Sequence, residues 1–381
     1  MKIVVALDKF KGSLTAPRAC EIVRNAIHSI QPGVTIISKP MADGGDGTAE
    51  VFRLALGGEW VQHKVTGPLP RTLVNARYLW LPHERLAVVE MAQASGLVLL
   101  KPEQRNPLRT HSHGTGELLC YAASQGAQRI LLAVGGSATI DGGVGAARAG
   151  GWRFVGANGE QVELGGGELE RILKIEDPKS DTELDEEDFL NFSLEVLCDV
   201  NNPLCGEYGA AHVFGPQKGA TPEMVQQLDA GLRHLAELVK TQLGKDIADV
   251  PGAGAAGGLA FGALAFMDAK LIPGVEAVAE AIGLDAELSD ADWVVTGEGC
   301  FDKQSLRGKV LSGITKRAQK YGVNVAVIAG NVRVSESAWR REGIEVALSA
   351  MDPGVELHEA MASAERLLAL TARQLVARIL I

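Results

Sequence analysis

The 381-residue chain reads as a two-domain α/β protein: a Rossmann-like, doubly wound, mostly parallel sheet core interrupted by a second mixed α/β domain. Three observations predict this. Strand-like and helix-like runs alternate at both ends of the chain. Extended runs with few helices break that rhythm in the middle. The length also exceeds what one ordinary hydrophobic core organises.

The first run, residues 3–7, is short, apolar and β-branched, as a buried strand should be. Residues 14–30 have helical spacing, with Ser13 or Thr15 as N-cap. A strand over 35–38 and a helix over 47–56 follow. "EWVQHKVTG", "RTLVNARYLWL" and "RLAVVEM" are extended runs joined only by turn residues, an antiparallel meander. Helical rhythm returns at Gly114, then a strand over 130–134. "GWRFVGANGEQVEL" predicts a hairpin turning at Asn158-Gly159, and the acidic run 176–189 a solvated loop. A strand over 194–198, a long helix over 223–243 and a small-residue helix over 257–267 lead back to strand-helix alternation from Trp293 onward. The core is therefore expected over 1–58, 96–150 and 286–381, with the inserted domain over 59–95 and 151–285.

Hydrophobic content of 46 % with 22 % charged residues excludes a disordered chain. A formal net charge of -10 opposes nucleic acid and anionic membrane surfaces as partners. Any anionic substrate must be met by local lysines and arginines. Cys20, Cys120, Cys198, Cys205 and Cys300 form no CxxC pair and lie mostly in apolar or small-residue runs, which suits buried thiols in a reducing compartment. The start "MKIVVALDKF" reads as a strand rather than a signal peptide, and no apolar stretch reaches the ~18 residues of a membrane span. A cytoplasmic location is expected.

The 45 glycines exceed the roughly 27 that average usage would give, and many cluster where apolar runs end. Four turns share one design: 8–15 (DKFKGSLT), 42–48 (ADGGDGT), 133–145 (AVGGSATIDGGVG) and 296–305 (TGEGCFDKQS). In parallel sheets such turns converge beyond the carboxyl ends of the strands, where ligands bind. Glycines let backbone N–H groups approach phosphate oxygens, while acids hold Mg²⁺ and take the proton from an attacking hydroxyl. Lys11, Lys218, Lys303, Arg307 and Lys309 are the cations available to neutralise carboxylate or phosphate charge.

Two motifs mislead. GAGAAG at 252–257 matches GxGxxG but follows "KDIADVP" rather than a buried strand, so close helix packing or substrate-loop flexibility explains it better. His111 and His113 have no third His or Cys nearby, so an exposed loop or a polar substrate contact is expected instead of a metal. Ser137 lacks a G-x-S-x-G frame and an evident triad partner.

The ordered motifs "ALDKFKGSLTA", "MADGGDGT", "EMAQASGL", "THSHGTGEL", "VGGSATIDGGVG", "CDVNNPLCG", "FGPQKGA", "PGAGAAGGL" and "TGEGCFDKQSLRGKV" resemble the type I glycerate kinases of bacteria. The resemblance runs from residue 3 to about residue 330. Members of that family often carry Pro-Asp-Ser at Leu7-Asp8-Lys9, and Asn at Ile140. The resemblance implies ATP- and Mg²⁺-dependent phosphorylation of D-glycerate, with 2-phosphoglycerate the expected product and 3-phosphoglycerate also ascribed to the family. It implies a two-domain fold with the site in an interdomain cleft, and a place in organic-acid and glyoxylate breakdown.

Within that frame Asp8, Asp43, Asp46 and Asp199 compete for general base and metal ligand, and Lys11 and Lys309 are candidates for neutralising charge. The 135–139 backbone (Gly135, Gly136) with Ser137 and Thr139 would cradle phosphate, and Asp141, Glu298 and Asp302 join Asp46 as candidate metal residues. Ser13, Gly44, Gly45, Asn201, Lys218, Gly297 and Ser305 complete the ATP- and substrate-binding set. Expected partners are D-glycerate and ATP; a homodimer stays open. The rivals are a kinase of a related small hydroxy acid, a non-catalytic anion-binding protein, and a nucleotide-dependent oxidoreductase.

Overall fold

The computed structural model describes residues 1–178, 192–306, 309–351 and 354–379. The chain divides into two compact units, one of Met1–Asp43, Glu50–Leu56 and Gly274–Ile381, the other of Gly44–Ala49 and Gly57–Pro273.

The first unit is built on five parallel strands in the order Thr35–Ser38, Lys2–Leu7, Trp293–Gly297, Asn324–Ala329, Ile344–Ser349. Residues 3–7 are fully buried, as expected for a strand covered on both faces. On one face lie helices Ala16–Ile30 and Ala364–Ile379, whose Val23, Ile27, Leu368 and Leu375 pack against Ile3, Val5 and Leu7. Thr15 caps the first helix by accepting from Arg18 N at 3.4 Å, which settles the choice between Ser13 and Thr15. Thr35–Ser38 lies on one side of Lys2–Leu7 and the next strand of this sheet, Trp293–Gly297, on the other. That reversal is the topological switch point of a doubly wound sheet, where neighbouring loops part and leave a crevice.

The second unit holds a six-stranded sheet ordered Lys270–Ile272, Ser193–Leu197, Arg129–Ala133, Leu86–Glu90, Leu73–Leu81, Glu59–Thr66. Its first four strands are parallel and its last three form the expected antiparallel meander. Segment 96–150 was expected in the core domain but belongs here, because Arg129–Ala133 pairs with Leu86–Glu90 on one side and Ser193–Leu197 on the other. Likewise the first unit resumes at Gly274 rather than at 286. The predicted hairpin does close: Gly156 N donates to Glu160 O and Val162 N to Phe154 O, both at 2.8 Å, and Val155 bridges Gln161 antiparallel, while Arg153–Val155 also pairs with Lys174–Glu176. Of the acidic run only residues 176–178 are described, and Arg307 lies outside the described residues. All five cysteines are free, but only Cys20 is buried and the others are half-buried. Among the described residues no helix is long and apolar enough to cross a membrane.

The GAGAAG decoy becomes a packing device. Ala256, Gly257 and Gly258 lie in left-handed conformation (φ 55°, 70° and 86°) inside helix Ala255–Phe266. A Cβ on Gly257 would stand 1.9 Å from Thr139 O, so glycine alone lets this helix meet the turn 133–145. Gly257→Ala combines that clash with a strained φ and should cost at least about 2 kcal/mol of stability, read as a lowered urea midpoint of unfolding.

Candidate active site

In the first unit the strand ends bring three acids together. Asp8 N donates to Gly297 O at 2.9 Å, which sets Asp8 abreast of Glu298, and Met41 N donates to Leu7 O at 2.9 Å, which draws the Asp43 turn alongside. Lys9 binds both aspartates: its N–H donates to Asp8 Oδ1 at 2.7 Å and its Nζ reaches Asp43 Oδ1 at 3.1 Å. Asp8 is only 7 % exposed. Burial, reinforced by the negative charge of Asp43, outweighs Lys9 and pushes the Asp8 carboxyl up to about 7. Burial would raise Asp43 as well, but the ammonium of Lys9, with help from Lys309, holds it below the usual carboxylate range. Burial also raises Glu298, against the Ser305 hydroxyl and the Lys309 charge, and its buried Oε1 has no hydrogen-bond partner among the described residues. One acid poised near neutrality beside an ionised acid and two lysines is an arrangement suited to moving a proton next to anionic charge.

The second unit carries the turn 133–145, which leaves strand Arg129–Ala133. Its left-handed glycines Gly136, Gly142 and Gly143 fold it back on itself. Asp141 fastens it: Oδ2 accepts from Ser112 N (2.7 Å), Ser112 Oγ (2.8 Å) and Gly145 N (3.2 Å), and Oδ1 from Gly143 N (3.3 Å). Lys218, 2 % exposed, donates to Ser137 Oγ at 2.7 Å and Thr139 O at 2.8 Å. Burial depresses its ammonium to about 7, with Asp141 opposing. The absence of a side chain on Gly136 admits the Asp46 carboxylate, since a Cβ there would lie 2.6 Å from Asp46 Oδ1. Gly135 N donates to Gly44 O at 3.4 Å, and a Cβ on Gly135 would stand 2.5 Å from Gly45 Cα, so the turns 42–48 and 133–145 touch backbone to backbone.

The fold thus gathers Asp8, Asp43, Glu298 and Lys309 in one unit, and Gly44, Gly45, Asp46, Gly135, Gly136, Ser137, Thr139, Asp141 and Lys218 in the other. Several candidates also bond within their own turns. Asp302 Oδ1 accepts from Gln304 N (2.7 Å) and Ser305 N (3.3 Å). Buried Ser305 donates to Cys300 O, and Ser13 Oγ donates to Phe10 O. Gly297 packs against Ile328 O of the neighbouring strand, where a Cβ would stand at 1.7 Å. Asp199 is half-buried just past Ser193–Leu197, while Asn201, Lys11 and Lys303 are exposed. Among the described residues no three His, Cys, Asp or Glu side chains stand in ligand geometry for a metal.

Residues missed in the sequence matter here. Lys9 reads as one more exposed lysine until the strands place Asp43 beside it. Glu90 ends a strand inside "EMAQASGL", and its Oε1 accepts from Gly47 N (2.9 Å) and Ala49 N (3.0 Å), fixing the start of helix Thr48–Leu56. Of the two readings of His111, an exposed loop or a polar substrate contact, the first fails: it is 1 % exposed, and its buried Nδ1 has no hydrogen-bond partner among the described residues. Asp141→Asn puts an amide donor against backbone and hydroxyl donors. It should lower stability by about 2 kcal/mol and reduce turnover together, measured by thermal unfolding and steady-state rates.

Residues 3–380 match the model of the Glycerate kinase family. The chain is 45 % identical to a glycerate kinase of Halalkalibacterium halodurans, over 98 % of this chain and 97 % of that one. It is 41 % identical to the glycerate 2-kinase of Escherichia coli K12, over 96 % and 94 %. A crystal structure given as glycerate kinase 2 from Salmonella typhimurium LT2 superposes with a TM-score of 0.83 at 40 % identity, covering 99 % of this chain and 98 % of that one. With its acids gathered at a switch point, its glycine-rich turns and a match over nearly its whole length, the chain belongs to the glycerate kinase family.

Proposed function

We propose that this enzyme transfers the γ-phosphoryl group of ATP to the C2 hydroxyl of D-glycerate, giving 2-phosphoglycerate and ADP. The observation that carries the reading is the Asp8–Lys9–Asp43 arrangement at the switch point, an acid near neutral pKa beside a fixed cation. Two names support the substrate: the Halalkalibacterium halodurans relative is a glycerate kinase, and that of Escherichia coli a glycerate 2-kinase. In the reaction, deprotonated Asp8 takes the hydroxyl proton as the oxygen bonds to phosphorus. The bond to the β-phosphate oxygen breaks and ADP leaves with the electron pair. Lys9 and Lys309 offset the negative charge that collects.

Glu298, whose buried Oε1 has no partner among the described residues, and Asp43 form an oxygen donor set that fits Mg²⁺, which needs one or two carboxylates when phosphates supply the rest. Bound there, the ion neutralises phosphate charge. Asp141 and Asp302, whose oxygens already accept backbone donors, act as turn clamps in this reading, and Asp46 orders the glycine turn.

Release of ADP with D-glycerate, ATP and Mg²⁺ tests the reading, and no release with glycerate or related hydroxy acids overturns it. Phosphorus NMR of the product should show the 2-phospho isomer. Because Asp8 must lose its proton to work, kcat/KM should climb with pH toward a plateau above about 7, and Asp8→Asn should abolish that limb along with most turnover. The same raised pKa makes Asp8 a liability for folding. Its contribution is most favourable below the unfolded value of 3.8 and is lost as pH rises through about 7, so Asp8→Asn should melt higher than the parent protein at pH 8.

A further inference from the structure

The turn 133–145 holds a buried positive charge. Lys218 is 2 % exposed, and Asp141, the acid whose charge opposes its burial, spends its oxygens on Ser112, Gly143 and Gly145. An ammonium has three N–H donors and no lone pair. In the ammonium form two of them go to Ser137 Oγ and Thr139 O, so Ser137 Oγ accepts from Lys218 whenever the lysine is charged. The hydroxyl proton of Ser137 is then free to point only away from the lysine. Beside it Thr139 Oγ1 is wholly buried and has no hydrogen-bond partner among the described residues. A buried cation whose neighbouring acid is engaged by other donors is costly unless a ligand completes it.

We infer that Lys218 is a positioning residue that, as the ammonium, fixes Ser137 as a hydrogen-bond donor, and that the pair presents the buried positive charge to an anionic substrate oxygen at this turn. The inference rests on the proposed kinase reading for the identity of that anion, a carboxylate oxygen of glycerate or a phosphate oxygen of ATP. Both offer a charged acceptor of the same kind. A nucleophilic role for Ser137 is disfavoured by the same geometry, because Ala138 N already donates to Ser95 O at 2.9 Å and cannot serve as an oxyanion donor.

The test is a double-mutant cycle on Ser137→Ala and Lys218→Met, with KM for D-glycerate and for ATP measured separately from kcat. Each single variant should raise KM for one substrate by roughly 10- to 100-fold, the scale of a charge-assisted hydrogen bond. The double variant should lose no more than the worse single one, because the lysine acts through the serine. Ser137→Thr, which keeps the hydroxyl, should recover most of the loss. A rise confined to glycerate identifies the carboxylate; one confined to ATP identifies the phosphate. Additive losses, or unchanged KM values in a folded Ser137→Ala enzyme, overturn the relay. Should Lys218→Met fail to fold, Ser137→Ala against Ser137→Thr still decides. Should the enzyme prove inactive on glycerate, isothermal titration of inorganic phosphate and of D-glycerate into parent and Ser137→Ala proteins tests the relay apart from the kinase reading: weaker binding of either anion to the variant supports it, and equal binding of both overturns it.

Discussion

The pairing of Lys2–Leu7 with Trp293–Gly297 is the constraint on which the first unit depends. It joins stretches about 290 residues apart, in a register that matches Leu7 with Gly297. Closing so long a loop is entropically expensive, though the cost grows only slowly with length, and burial of Ile3, Val5, Leu7 and Val295 in one apolar core offsets it. Without that register Asp8 and Glu298 would not be neighbours. The acids would be ordinary solvated side chains with ordinary acidity.

Once together, these acids are held in a way that folding alone would not favour. Asp8 is buried next to a like charge, Glu298 keeps an oxygen with no partner among the described residues, and across the sequence Lys218 is buried beside an Asp141 already engaged by other donors. Each is a local violation of the rule that buried charges are paired. Violations of this kind gather where a ligand is expected to supply the missing partner. The turns around them are over-determined in compensation: Asp141 and Glu90 each spend a carboxylate on backbone donors, and Thr110 Oγ1 donates to Ala138 O at 2.7 Å.

Much of this was legible in the chain, because strand ends announce themselves. Apolar runs that stop at Asp8 and Thr296, and turn residues such as 42–48, place candidate acids without any knowledge of pairing. What was not legible depends on which strand lies beside which. Residues 96–150 have the same strand-turn-helix rhythm as the true core, and only the pairing of Arg129–Ala133 assigns them to the other sheet. Lys9 and Lys218 look alike in sequence, two lysines near glycines. One is an ion-pair partner and the other a buried donor because of neighbours contributed by distant segments. Glu90 escaped notice because an acid closing a fully buried strand carries no local pattern of its own.

The discontinuity of the first unit also sets an order of events during synthesis. The second unit lies almost wholly within residues 57–273, so its pairing partners exist before the chain is finished. Lys2–Leu7 and Thr35–Ser38 emerge first, yet Trp293–Gly297, Asn324–Ala329 and Ile344–Ser349 emerge last. For most of translation the amino-terminal strand therefore offers one unpaired edge, rich in valine and isoleucine, to anything nearby. The architecture that lets Asp8 meet Glu298 leaves the nascent chain with a sticky edge until its final third arrives.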